Sequence, residues 1–381
     1  MAVAGSWALP GSARADTGEA TVSLGRLEKR AAKRPDFNGY VYHNRTAHFR
    51  LGDTLYAIAY KIAVGEQDPT SLRPVEGYIG MPAPSSCNWY HSGFLTISLD
   101  GKDIGSTPLS SMLVAEDGPR AILDLVWHHE AASVRARFMG LPDSDHLLCQ
   151  LTVDPKRKLS TIGVSLRCYP SYFTSWNNRD GARRIRTPSR LVAEGSSATA
   201  ALAENWWAVY YDEVFDVAQG EGEGPCAMMA APIEGAKITF APGGYAVDTR
   251  IEFPGDTREM RFAFWEFPGV PNAQALARLR TDAAAMRAQL SSAPFTPAPV
   301  SGLDVAALRA EVRRALDSPA AREYLGPKLQ DVQAWLADCE LTPTGSLAAS
   351  GIAAQEQLLR SVDEYYEFIW EVKLAELLDS I

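Results

Sequence analysis

The chain has 381 residues, 46% of them hydrophobic and 22% charged, with a formal net charge of -9. That length suits two domains, or one large β-architecture with an appendage, and the hydrophobic share excludes global disorder. The acidic balance argues against a nucleic-acid binder, and no run approaches the roughly 20 apolar residues of a membrane-spanning helix.

Residues 1–35 form an N-terminal segment that begins small and apolar and carries Ala13-Arg14-Ala15, the small-x-small pattern of a signal-peptidase site. It reads as the remnant of an export signal, which implies a secreted or periplasmic protein. Without a positively charged n-region, an Ala-rich disordered terminus in the cytoplasm is the other reading. From 36 to 270 the pattern is short alternating runs separated by Gly, Pro, Asp and Asn. Strands are expected at 94–99, 121–127, 134–138, 147–153, 162–168, 206–211, 227–230, 238–240, 245–253 and 260–267. Asp100-Gly101 and Pro242-Gly243-Gly244 are turn signals between them. No helical period intervenes, so an antiparallel sandwich is expected rather than a βαβ fold. A helix packing on the sandwich is expected at 271–292, a Pro-rich linker at 293–302 and an α-helical region at 303–381. Breaks are expected near Ser318-Pro319, Gly326-Pro327 and Leu341 to Gly345, and the last helix carries a broad apolar stripe from Leu358 to Leu377. The fold class is therefore mainly β, a large antiparallel β-sandwich followed by a small α-helical C-terminal region.

Side chains alternate across a strand, so parity sorts each run into two faces. Leu123, Leu125 and Trp127 oppose Asp124, Val126, His128 and Glu130. Val134, Ala136 and Phe138 oppose Arg135 and Arg137, and Arg167 lies on the reverse of Leu166 and Cys168. Trp207, Val209 and Tyr211 oppose Trp206, Tyr210 and Asp212, while Phe262 and Phe264 oppose Arg261 and Trp265. If these strands share a sheet, its outer face collects acids, arginines and aromatic rings. Carboxylates and guanidinium groups grip hydroxyls, and rings stack on the C–H faces of sugars, so the mixture suits a carbohydrate. The same mixture also describes a solvated antiparallel face with cross-strand ion pairs.

His128-His129-Glu130 has the residue types of a metal cluster, but adjacent strand residues point to opposite faces. His128 and Glu130 share a face about 7 Å apart and can form an acid–base pair. Trp89 and His91, in the run Asn88 to Gly93, can line one rim of a site, and Trp176 belongs to a second polar-aromatic loop. The five cysteines are widely spread with no CxxC pair, so neither a disulfide framework nor a zinc ribbon is expected. No cofactor or metal motif is present, and Gly220 to Gly224, which carries two acids, reads as a hairpin connection.

The strand series and the runs Asn205-Trp206-Trp207-Ala208-Val209-Tyr210-Tyr211-Asp212-Glu213 and Phe264-Trp265-Glu266-Phe267-Pro268 resemble the galactose-mutarotase-like β-supersandwich superfamily. That superfamily includes aldose epimerases and sandwich domains of polysaccharide lyases and glycoside hydrolases, along with members that lack catalysis. The resemblance is one of architecture over Phe37 to Pro268. It implies a carbohydrate partner, oligo- or polysaccharide, and an epimerase-like, lyase-like or glycosidase-associated role. Epimerases of this type pair a histidine acid with a glutamate base; no motif maps that pair here, so face parity nominates His128 with Glu130 or Asp212. Arg135, Arg167, Arg261 and Asp124 would then orient the sugar, with Trp206, Tyr210 and Trp265 as stacking platforms. The alternative from another class is a non-catalytic structural or assembly protein whose C-terminal helices contact a partner or a second copy.

Overall fold

In a computed structural model, the structure describes residues 18–298 apart from 86, 143 and 172–178, and then 305–319, 322–323, 326, 328–330, 351–360, 370–371, 373–374 and 377. The expected export-signal motif, the break at 341–345 and Cys339 lie outside these. Eight strands come first: β1 (Ala20–Leu24), β2 (Glu28–Ala31), β3 (Tyr40–Leu51), β4 (Thr54–Gly65), β5 (Leu72–Arg73), β6 (Ile79–Ala83), β7 (Leu95–Leu99) and β8 (Lys102–Asp103). The chain then lays down β9 (Leu109–Glu116), β10 (Ala121–His128), β11 (Ala132–Gly140) and β12 (His146–Pro155) as a second sheet. It returns to the first with β13 (Thr161–Cys168) and to the second with β14 (Arg183–Arg186) and β15 (Leu191–Ala193). After β16 (Ala198–Ala201) in the first sheet come β17 (Trp207–Asp212) and β18 (Cys226–Ala230) in the second. The strands β19 (Lys237–Pro242) and β20 (Val247–Pro254) join the first sheet and β21 (Glu259–Glu266) the second.

The result is an antiparallel sandwich. The twelve-stranded sheet runs β1-β3-β4-β6-β7-β13-β20-β19-β16, with β2, β5 and β8 as side pairings, and the nine-stranded sheet runs β15-β14-β17-β18-β21-β12-β11-β10-β9. Every strand expected from the alternating runs is present. The sheet also begins earlier than the boundary at residue 36, because β1 and β2 both pair with β3. Between the sheets, Leu123, Leu125, Trp127, Phe138 and Phe264 meet Ile97, Val164 and Ile251. Trp89 sits in the middle, edge-on to Phe94, Tyr210 and Phe264 at 6.0, 5.4 and 5.4 Å between ring centroids.

Among the described residues three helices follow, α1 (Asn272–Ser292), α2 (Val305–Asp317) and α3 (Ile352–Arg360). Pro271 precedes α1, and Asn272 ties its first turn to the sandwich by donating to the Asp212 carbonyl at 2.7 Å. Ala275, Leu279, Ala283 and Leu290 recur at helical spacing and lie on Trp207, Val209, Met229, Ala263 and Trp265, the outer face of the nine-stranded sheet. The expected linker is anchored too. Phe295 is 2% exposed, and Arg137 donates to its carbonyl at 3.0 Å. Arg120 donates to the carbonyls of Pro294 and Thr296, and the Ala298 amide donates to Glu116 at 2.7 Å, so ring and bonds together hold this stretch against the sheet in spite of its prolines. Among the described residues no helix is long and apolar enough to cross a membrane.

The seam between α1 and the sheet sets a test of stability. Leu279→Ala, which empties a fully buried position, should cost about 2–5 kcal/mol in urea unfolding. Gln289→Ala on the exposed side of the same helix should stay within about 0.5 kcal/mol.

Candidate functional site

The residues nominated by parity do not share one open face. In β10 and β11, Asp124, Arg135 and Arg137 do lie on the outer side of the nine-stranded sheet, yet they are sealed beneath the chain's own C-terminal segments. Asp124 and Arg137 are cross-strand partners and form a bidentate pair, Nε to Oδ1 2.7 Å and Nη2 to Oδ2 2.6 Å. Arg135 donates to Gln355 of α3. His128 meets Ser133 Oγ through Nδ1 at 2.9 Å and Glu356 Oε2 through Nε2 at 2.6 Å. The expected His128–Glu130 pair is not formed. The strand stops at His128 and Glu130 is exposed in the turn beyond it, so the same-face rule for alternate residues no longer applies.

The parity of β17 is reversed from the expectation. Trp207 faces α1, whereas Tyr210 points between the sheets and shares a 3.0 Å bond with Thr249. Asp212 is fully buried as a loop organiser, its Oδ1 accepting from the amides of Ala182, Val214 and Phe215 at 3.0, 2.8 and 3.2 Å. A strand covered on both sides is apolar on both sides, so alternation alone cannot say which face looks inward. Trp265 is fully buried beside His146, with 4.6 Å between centroids, and is no stacking platform. Trp206 is half-buried with the Arg287 guanidinium 5.1 Å from its ring. Arg261 donates to the carbonyls of Leu290 and Ser291, where a cation suits the end of α1. Trp89 belongs to the core, its indole N–H donating to the Trp265 carbonyl at 3.0 Å. Trp176 lies outside the described residues.

The open polar surface is the outer side of the other sheet, since α1 and α3 pack on the nine-stranded one. His91 and Arg167 are the two nominated residues found there. A hollow of about 410 Å³ is lined by Arg30, Tyr42, Asn44, Lys61, His91 and Ser92. Lys61 Nζ stands 3.4 Å from Ser92 Oγ and 5.4 Å over the Tyr42 ring, and the Tyr42 hydroxyl is buried without a hydrogen-bond partner. Burial pushes the Lys61 ammonium below its ordinary pKa, with Arg30 and Arg34 adding to it and Glu76 opposing. A second hollow of about 280 Å³ holds Glu76, Thr96, Asp103, Ser165, Arg167 and Asp248. There Arg167 donates to Asp248 at 2.7 and 3.2 Å. His91, Ser92 and Gly93 run between the two hollows, and Gly93 packs so close to Gly77 that a Cβ on Gly77 would lie 2.6 Å from its Cα. A line of rings leads away from His91: Tyr90 at 4.7 Å, Tyr169 at 4.9 Å from Tyr90, and the exposed Tyr245 at 5.0 Å from Tyr169.

Lys61, Tyr42, Asn44 and Glu76 were not among the expected site residues. The available signal was Lys61 itself, a single charge inside the apolar stretch Leu55 to Val64. A third hollow, about 480 Å³, opens at one end of the sandwich beside Glu266, Asp145 and Arg278. Burial pushes the Glu266 carboxyl well above its ordinary range, and its Oε1 accepts from the Trp89 amide at 3.1 Å. Burial also raises the nearby Cys87 thiol, which donates to Glu223 at 3.0 Å. Among the described residues no cluster of His, Cys, Asp or Glu is placed to hold a metal ion.

Glu356 carries the pH dependence of the covered face. Burial pushes its carboxyl up, but the hydroxyls of Ser111 and Ser110 and the His128 ring outweigh that, and the net displacement is downward. Its neighbours are His128 on the sheet and Arg360 on α3, with Arg135 and Arg137 alongside on Gln355. A depressed carboxylate stabilises above its unfolded range and loses that contribution as pH falls through its folded value. Amide-exchange protection of 352–360 should therefore be full above the ordinary carboxylate range and fall away as pH drops through the depressed folded value, and Glu356→Gln should abolish that dependence.

No protein-family model and no curated relative matches the chain. Among solved structures it is similar to the GH36 alpha-galactosidase AgaB from Geobacillus stearothermophilus, with 10% identity and a TM-score of 0.32 over 64% of this chain and 41% of that one. It is also similar to the alpha-N-acetylgalactosaminidase NagBb from Bifidobacterium bifidum, with 9% identity and a TM-score of 0.39 over 89% and 49%. A Klebsiella pneumoniae protein provisionally described as an aldose 1-epimerase matches at 10% identity and a TM-score of 0.32, over 72% and 96%. The chain spans less than half the length of the two glycosidases. The likeness is one of architecture alone, and it extends to neither ligand nor chemistry.

Proposed function

We propose that the protein binds carbohydrate on the open face of its twelve-stranded sheet, in the hollow around Lys61, with the exposed ring of Tyr245 as a further contact. The observation that carries this reading is the set of groups converging there: an ammonium, an amide from Asn44, an imidazole and the unpartnered hydroxyl of Tyr42. Such a mixture serves hydroxyl groups, which donate and accept, better than it serves an apolar ligand. An open surface that continues past the hollow suits an oligo- or polysaccharide. Binding without catalysis is the form this geometry supports, because His128 and Asp212, first nominated for acid–base work, are engaged within the chain and Glu130 lies apart from them. A secreted or periplasmic setting accords with such a ligand and with the Ala13-Arg14-Ala15 segment.

Affinity electrophoresis and glycan-array binding test the reading. Lys61→Ala should weaken binding at least tenfold, about 1.4 kcal/mol, and Tyr245→Ala should weaken it by about 0.5–1.5 kcal/mol. Unaltered affinity in both variants, or no glycan bound by the wild type, removes the proposal.

One observation favours a partner-binding role for the C-terminal region. Trp370 and Leu377, large apolar side chains seven positions apart, are 69% and 58% exposed. If that end docks on a second copy or another protein, Trp370→Ser with Leu377→Ser should lower the mass seen by light scattering after size exclusion. A monomeric wild type that also gains no mass with any partner offered contradicts it.

A further inference from the structure

The helix α3 lies on the polar half of the nine-stranded sheet, and among its described side chains polar groups make bonds to the strands. Among its described side chains Ile352 is buried and apolar, while Gln355 and Glu356, 6% and 4% exposed, face the strands. The sheet meets both with donors. His128 Nε2 stands 2.6 Å from Glu356 Oε2, and Ser110 Oγ donates to Glu356 Oε1 at 2.7 Å. Arg135 Nη1 and Arg137 Nη2, the latter at 3.3 Å, donate to Gln355 Oε1. Asp124, the carboxylate of this patch, is taken by Arg137 through two bonds of its own. What the strands present is therefore a cradle for one carboxylate with a second oxygen acceptor beside it. A free molecule bearing those two groups can make the same bonds, which an apolar helix–sheet seam would not permit.

We infer that Ser110, His128, Arg135 and Arg137 form a carboxylate-binding site, and that Glu356 and Gln355 occupy it as an internal competitor. The ligand class is the hydroxylated carboxylates, uronic acids among them: the carboxylate replaces Glu356 and a neighbouring hydroxyl oxygen replaces the Gln355 carbonyl. Binding exchanges the hydrogen bonds of α3 for those of the ligand, and no covalent bond is made or broken in either. This site lies on the opposite sheet from the hollow around Lys61 and stands without the reading given to that hollow.

Calorimetric titration of the full chain with D-glucuronate, and with D-glucose as the uncharged control, tests it. Glu356→Ala should bind D-glucuronate at least tenfold more tightly than the wild type and D-glucose not at all. Adding His128→Ala should remove the gain, and Lys61→Ala should leave it intact. In the wild type, D-glucuronate should raise amide exchange in 352–360 without exposing the sandwich strands. Equal affinity in wild type and Glu356→Ala, no binding by either, or equal binding of D-glucose overturns the inference. Should Glu356→Ala lower the unfolding midpoint, Glu356→Gln keeps the shape and loses the charge; at least a threefold gain is expected there, and none would overturn the inference equally.

Discussion

The nine-stranded sheet is buried on both faces, and the rest of the molecule is arranged around that condition. One side meets the other sheet across the core that holds Trp89 and Phe264. The other side is half apolar and half ionic, so it needs two different covers. The helix α1 supplies alanine and leucine to the apolar half, where Trp207, Met229 and Trp265 lie. The ionic half receives the carbonyl of Phe295 and the side chains of Gln355 and Glu356. Each cover matches the chemistry beneath it, because a buried polar group without a partner is costly and an apolar group in water forfeits its transfer energy.

The Asp124–Arg137 pair shows the cost of that arrangement. Both side chains are almost wholly withdrawn from water, 2% exposed for Arg137, and desolvation of two charges can equal or exceed their attraction. Two further acceptors, the Phe295 carbonyl and Gln355, receive bonds from the Arg137 guanidinium and offset part of the loss. Such a pair contributes little net stability but ties the segment after α1 to one register on the sheet. The polar bonds of α3 also involve charged groups, each worth about 1.5–3 kcal/mol.

With one sheet enclosed, the twelve-stranded sheet is left to face solvent, and its chemistry differs accordingly. Its ion pairs, Arg167 with Asp248 and Arg34 with Glu76, are partly exposed and contribute little to stability. They shape the surface instead. Lys61 is held in place by a buried strand while its ammonium stays accessible, and His91 and Gly93 separate two hollows because Gly77 lets the two backbones approach. Positions on strands hold a ligand-facing group more firmly than positions on loops.

Much of the β-architecture was legible. The alternating runs marked ten of the strands, and the alanine-rich stretch after Pro271 marked the helix α1. The long pair β3 and β4 escaped because Tyr40 to Leu51 mixes rings with polar residues, while Leu55 to Val64 is nearly continuous apolar sequence, and neither alternates cleanly. Lys61 and Tyr42 were missed with them. Alternation also sorted Asp124, Arg135 and His128 correctly onto one side of their strands and failed at Tyr210, where both sides are apolar. By itself, then, the sequence determined that strands form, and which side chains on most of them travel together. Only the tertiary structure decided which face stays open. Glu356 reaches His128 across 228 positions of chain and Phe295 reaches Arg137 across 158, and no local periodicity encodes a contact between segments so far apart.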